Sequence, residues 1–422
     1  MAAAAAFLPY DVVLQILERV KDVATFFRFA TASKGLLSLV VADPSFLRRC
    51  LPEDACYSAP FAGLFLQRRP RKGYPKPCLV PAPRPLWGPH RRSLSSFIPN
   101  LDDSSFLDHA VPLVSRHGLL LVRLRTSVAV DPDPPNNELL AVCNLLTGTL
   151  DVLPLLEQEY GIDDMDETGY SILTAADCWS WDDDEKQEQQ LPLFKVLVIG
   201  ICQFTRWYRL RIFSAGEPRW DMSSGYMWGD ISAEAPINLH NAVVCCGMVH
   251  WLVQGSSTFC TIDVSARTGH VFITDLSTPL PGIKYDESYF SADTEGRLTL
   301  LHLQREGLQL KSWRWDDDGM LIDIDARVVR LKLPYPHKEI QGVVYTCLGE
   351  KSGTLIMKDN HGHVYAADVK TGVMHEVTGI PRRCNIRRKK IAPLDMDWPA
   401  FLVSRLFIAT ISSGSKWTYR AP

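Results

Sequence analysis

The sequence predicts an α+β multidomain chain: a small N-terminal all-α module followed by an all-β propeller of about six blades, with five or seven as alternatives. Three observations carry that prediction. Helical signals crowd into the first fifty residues, a span too short for a full globular core. Beyond about residue 105 the chain consists of short apolar runs bounded by turn residues. Those runs recur with a period near fifty.

The helical module reads from residue 8 to 52, after a low-complexity stretch at 1–7. Pro9 suits the first position of a helix, where its missing N–H has no helical partner. Asp11 follows in the first turn, where a carboxylate complements the helix dipole. Val13, Ile16, Leu17 and Val20 then recur at the spacing of one apolar face. Val12 and Leu14 lie off that stripe, so the helix has apolar surface beyond what a tiny bundle buries, a candidate partner surface. Further short helices are expected from Asp22 through Ala30, around Leu36 to Val40, and after Asp43-Pro44, an N-cap followed by proline.

Residues 53–104 read as a Pro-rich, basic linker or strap, densest from Arg68 to Arg92, because proline blocks both helix and central strand. From 105 to 422 the runs Gly118–Val122, Leu139–Val142, Lys195–Ile199, Ala242–Val244, Arg297–Leu301 and Thr354–Met357 read as strands. Beneath them lies a repeat. Asn144 leads to Thr147-Gly148, Asp263 to Thr268-Gly269, and Asp368 to Thr371-Gly372, each followed by a second strand running out to proline. Degenerate copies surround Gly216 and Gly319. Glycine supplies the positive φ that such tight turns need. The five turn glycines are separated by 68, 53, 50 and 53 residues. The long first interval holds an acidic insertion near 163–190, and removing it leaves the length of a four-stranded, kelch-like blade. The late run Phe401–Thr410 is expected to close the ring with an early strand, removing exposed sheet edges. Two stacked β-sandwiches, the alternative architecture, would need no such period.

Composition narrows the function. A net charge of −3 over 422 residues argues against a general nucleic-acid binder. Eleven scattered cysteines with no C-x-x-C pair fit reduced thiols of the cytoplasm or nucleus better than a disulfide framework. No apolar run reaches the length of a membrane span, and the alanine-rich start lacks the basic flank of a signal peptide. Catalytic and nucleotide-binding signatures, among them G-x-S-x-G, H-E-x-x-H and a phosphate loop, do not occur. His361-x-His363 reads as a hairpin tip rather than the start of a metal site, and His250 beside Trp251 as an ordinary strand pair. The acidic run Asp182–Glu188 reads as a solvated loop, and the basic residues from Arg382 to Lys390 as a charged loop or strand face. No cofactor or metal is expected.

The N-terminal segment resembles an F-box. Leu8-Pro9 matches its LP opening, Ile16-Leu17 its apolar pair, Phe29 through Ser33-Lys34 its centre, and Asp43-Pro44-Ser45-Phe46-Leu47 its end. Two positions depart from the pattern: Lys21 stands where many members carry proline, and Gly35-Leu36 where many carry an aromatic. The stretch Ala242–Leu252, with Gly247, His250, Trp251 and Leu252, resembles the G-x-x-H-W-L strand pair of plant F-box-associated β-propeller domains. That resemblance implies a substrate receptor of an SCF-type (Skp1–cullin–F-box) ubiquitin ligase. A Skp1-like adaptor, and through it a cullin, would bind at Leu8, Pro9, Val12, Ile16 and Leu17, and the propeller would hold a protein target. No residue of such a receptor needs to act as acid, base or nucleophile. Two other classes stay open: an F-box scaffold without ligase activity, and a propeller enzyme or small-ligand binder using His250, Asp263 or His361 near a central channel.

Overall fold

The computed structural model describes residues 10–19, 61–68, 76–82, 91–98, 105–124, 137–145, 147–157, 168–174, 177, 194–202, 207–226, 239, 242–254, 259–276, 288–292, 297–304, 308–315, 321–322, 328–332, 343–349, 353–378, 380 and 391–395. The chain divides into two compact units, residues 61–395 and the two flanking ends together. In the flanking unit one helix is described, α1 (Tyr10–Glu18). The helices expected from Asp22 onward lie outside the described residues.

Residues 61–395 form a six-bladed β-propeller, each blade an antiparallel sheet. Blade 1 opens with β1 (Phe61–Arg68), β2 (Lys76–Pro81) and β3 (Arg92–Ser93). Blade 2 is β4 (Val111–Arg116), β5 (Leu119–Leu124), β6 (Asn137–Asn144) and β7 (Thr149–Val152), with β8 (Leu156–Glu157) also pairing β6. Blade 3 is β9 (Thr168–Thr174), β10 (Phe194–Cys202), β11 (Trp207–Ser214) and β12 (Asp221–Tyr226). Blade 4 is β13 (Val243–Cys245), β14 (Met248–Gln254), β15 (Phe259–Ser265) and β16 (Val271–Leu276). Blade 5 is β17 (Ser288–Ala292), β18 (Leu298–Gln304), β19 (Gln309–Trp315), and the short β20 (Leu321–Ile322) and β21 (Val329–Arg330), both paired with β19. Blade 6 is β22 (Val343–Gly349), β23 (Thr354–Asp359), β24 (Val364–Asp368) and β25 (Met374–Glu376). The last described strand, β26 (Ile391–Asp395), returns to pair with β1 and supplies the inner strand of blade 1.

Three sequence expectations change here. The ring is closed by Ile391–Asp395, whereas Phe401–Thr410 lies outside the described residues. The supposed strap at 53–104 contains three strands of blade 1. Its prolines are tolerated because Pro77 and Pro81 sit toward the two ends of β2, where β3 pairs only with Cys78 and Leu79. The insertion near 163–190 encloses β9, the inner strand of blade 3, so the acidic runs are separate segments on either side of it.

The core lies between blades. Leu121, Val142, Ile172 and Val196 pack blade 2 on blade 3. Leu197, Ile199, Trp251 and Ile262 pack blade 3 on blade 4. Leu252 and Val243 meet Phe290 and Trp313 of blade 5. Leu301 and Leu310 meet Leu355 and Tyr365 of blade 6. Ile356 and Ala366 meet Leu64 and Ile391 of blade 1. A strand inside a blade is therefore buried on both faces, which explains why Phe194–Cys202 reads as one apolar run rather than an alternation.

The repeat seen in the sequence is the hairpin between the third and fourth strands. In blades 2, 4 and 6 a four-residue loop follows Asn144, Ser265 or Asp368, and the loop glycine donates its N–H back to that residue's carbonyl at 2.9, 2.9 and 2.8 Å. Side chains at the same position accept from the loop: Asn144 Oδ1 from Thr147 N–H at 3.1 Å, Ser265 Oγ from Thr268 N–H at 3.3 Å, and Asp368 Oδ1 from Thr371 N–H at 3.0 Å. Gly148, Gly269 and Gly372 adopt φ of 75°, 72° and 71°. In blade 4 the residue with the Asn/Asp role is Ser265, two places after the Asp263 that the sequence suggested.

Candidate functional site

The helix α1 carries the predicted adaptor face. Leu17 is buried, whereas Val12 and Ile16, one turn apart, are 38% and 46% exposed. The spacing put Ile16 on one apolar face with Leu17 and left open which of them turns inward; Leu17 does, and Ile16 stands outward with Val12 as an exposed apolar pair. Leu8 and Pro9 lie outside the described residues.

In blades 2, 4 and 6 the turn between the first and second strands falls at the same end of the ring as the four-residue loop. The two sets are tied by main-chain bonds: Leu145 N–H to Gly118 O at 2.9 Å, Ala266 N–H to Gly247 O at 2.8 Å, and Val369 N–H to Gly353 O at 3.0 Å. In blades 2 and 4 the first turn has only two residues, His117-Gly118 and Cys246-Gly247, all with positive φ. That is the turn whose twist matches a right-handed hairpin.

At this end sits an ionic cluster. Asp177, just beyond β9, receives Arg116 Nε at 2.9 Å and Arg116 Nη2 at 2.5 Å. Thr174 donates its N–H at 2.8 Å and its hydroxyl at 2.9 Å to the same carboxylate. His117 Nε2 lies 3.9 Å from it. The Arg116 and Asp177 side chains are only 4% and 7% exposed. Burial alone would raise the Asp177 carboxyl, but the Arg116 guanidinium, through charge and hydrogen bonds and with help from His117, holds it far below the ordinary carboxylate range. The pair fixes the start of the β9–β10 connection against the inner strand of blade 2. Sequence reasoning missed this cluster, because its partners are 61 residues apart and neither stands in a motif.

The residues proposed for a channel site are not gathered at a mouth. His250 and Asp263 face each other across β14 and β15, with His250 Nδ1 2.7 Å from Asp263 Oδ1. The other carboxylate oxygen accepts the Thr261 and Thr274 hydroxyls at 2.6 and 3.0 Å. These are second, third and fourth strands; the inner strand of this blade is β13. His361 is exposed on the β23–β24 turn, a hairpin tip as expected, with Gly362 at φ 84°. His363 Nδ1 lies 2.8 Å from Glu376 Oε1. A buried histidine, His302, shares a 3.3 Å hydrogen bond with Ser288 inside blade 5. Among the described residues no three His, Cys, Asp or Glu side chains gather as metal ligands.

No protein-family model matches the chain, and no curated protein matches it. Solved structures resemble it at the level of fold. An α-L-arabinanase from Penicillium chrysogenum, complexed with arabinobiose, is 11% identical over 63% of this chain and 80% of that one, with a TM-score of 0.39. An α-L-arabinofuranosidase from Fusarium graminearum, bound to an iminosugar inhibitor, is 10% identical over the same shares, with a TM-score of 0.37. TolB from Acinetobacter baumannii is 11% identical over 61% and 52%, with a TM-score of 0.31. Similarity this distant carries nothing about chemistry. The fold itself places the chain among six-bladed β-propellers.

Proposed function

We propose that this protein is the substrate-recognition subunit of an SCF-type ubiquitin ligase, acting without catalytic residues of its own. The observation that carries the reading is the ordered F-box-like pattern of residues 8–52, supported by a helix at its start with Val12 and Ile16 outward. In this reading Leu8, Pro9, Val12, Ile16 and Leu17 form or back the surface for a Skp1-like adaptor, which joins the chain to a cullin in the cytoplasm or nucleus. The propeller holds the target protein. The receptor contributes proximity, raising the effective concentration of a target lysine beside the ubiquitin-loaded enzyme. Truncating anchors at the centre of such an interface costs about 2 kcal/mol or more each.

A pull-down with a purified Skp1-like adaptor and cullin tests this. Wild-type chain is expected to retain both, and the Leu8→Ala/Pro9→Ala/Ile16→Ala variant neither. Equal retention by the variant would refute the reading, and adaptor retention without cullin would reduce the protein to a scaffold.

A further inference from the structure

On several blade faces a polar side chain is met by a partner from the protein itself. Arg116 has Asp177, Arg123 the Tyr170 hydroxyl, Lys195 two carbonyls and His363 Glu376. One stretch of blade 5 departs from this. Leu301, Leu303, Leu310 and Val329 turn toward blade 6. Side chains alternate along a strand, so the residues between them lie on the face toward blade 4. Leu300 and Trp313 bury one half of that face against blade 4. The other half is polar. The register sets His302 beside Lys311, and Gln304, Gln309 and Arg330 in a row across β18, β19 and β21.

Among the described residues, no hydrogen bond or ion pair reaches the side chains of Gln304, Gln309, Lys311 or Arg330. Lys311 is partly buried and Arg330 is exposed. His302 is turned in toward Ser288 and kept neutral by burial and by the Lys311 charge. The two rows therefore present two cations and two amides, with no carboxylate among them. Lys311 and Arg330 stand diagonally across paired strands, about 7–8 Å apart at the backbone. An extended chain brings side chains two residues apart onto one side at a spacing of about 7 Å. Two carboxylates at alternate positions of an extended segment thus meet both cations at once, and the glutamine amides donate to the remaining carboxylate lone pairs. Val328, two residues before Arg330 and 50% exposed, adds apolar contact at the rim.

We propose that this face of blade 5 binds an acidic, extended segment of the recruited protein, with carboxylates two residues apart on Lys311 and Arg330; this rests on the receptor reading above. Two cations beside one apolar side chain suit a short peptide. A nucleic-acid strand needs a longer basic groove and aromatic platforms for its bases. A second copy of the chain is disfavoured, because it would set like charges against each other.

The test uses the full chain and a fluorescent eight-residue peptide of valine and threonine that carries two glutamates two positions apart, followed by polarisation. Lys311→Gln/Arg330→Gln is expected to weaken binding at least ten-fold, and so is a peptide with glutamine in place of both glutamates. Arg219→Gln/Lys370→Gln removes two exposed cations from other blades and is expected to leave the affinity within two-fold. Equal loss in the two double variants would overturn the proposal, since it reports general attraction to positive charge. So would equal binding of the glutamine peptide, or binding confined to a phosphoserine version of the peptide. Tighter binding of a single-stranded oligonucleotide at the same residues would assign the face to nucleic acid and overturn it too. Adaptor binding is measured separately. A chain that retains adaptor without selecting the acidic peptide removes this inference alone, whereas selection of the peptide without adaptor binding keeps the site and removes the receptor reading.

Discussion

Gly372 shows how much a single position can carry. Its φ of 71° suits glycine, and a Cβ there would stand 2.4 Å from Arg330 O. Gly372→Ala is expected to destabilise the propeller by about 2 kcal/mol or more, combining left-handed strain with displacement of neighbouring backbone, read as a lower urea midpoint. The Thr-Gly signal for this turn was legible because the chemistry is local. Asp177 was not, since its partner lies on another blade. Arg116→Met should cost about 3–5 kcal/mol by leaving the Asp177 charge buried, whereas the Arg116→Met/Asp177→Leu pair should recover most of that loss in the same unfolding assay. His302 gives a pH signature. Burial, with Lys311 nearby, pushes its pKa down to about 4 from 6.5. Its neutral form is the folded one, so its contribution is complete above pH 6.5 and is lost as pH falls from 6.5 toward 4. Wild type should therefore lose more stability between pH 7 and 5 than His302→Gln; parallel losses would contradict the assignment.

At the scale of elements, the strands the sequence revealed are those buried on both faces. Lys195–Ile199 and Arg297–Leu301 read as apolar runs because blades press on them from two sides. The outer strands were hidden: β3, β20 and β21 have two residues each, too few for any periodicity. Blade 1 was hidden by Pro77 and Pro81, whose meaning depends on lying near the ends of a strand that β3 covers only at its middle. In α1 the helical period was readable, but which apolar residues turn inward depends on packing, and of the neighbours Ile16 and Leu17 only Leu17 is buried.

Across the whole molecule, the fifty-residue period led to the number of blades, while the closing strand was placed ten residues too late. Closure by β26 pairs Ile391–Asp395 with Phe61–Leu66, so the ends of the propeller unit are stitched into one sheet. Ser115 Oγ also donates to the Pro393 carbonyl, joining the closing strand to blade 2. Truncation after residue 390 removes that inner strand and exposes the edge of β1 that it covers. The truncated chain is expected to unfold at a lower temperature and with less cooperativity than wild type in calorimetry, and an unchanged transition would contradict β26 as the closure.

The claim that the chain works by holding other proteins is tested most directly by calorimetric titration of a Skp1-like adaptor into the full chain and its Ile16→Asp variant, with thermal melting run on both. The account predicts micromolar or tighter binding by wild type, at least about 100-fold weaker binding by the variant, about 2.7 kcal/mol, and the same melting transition for the propeller. Absence of adaptor binding by wild type, or equal affinity in the two, would contradict it.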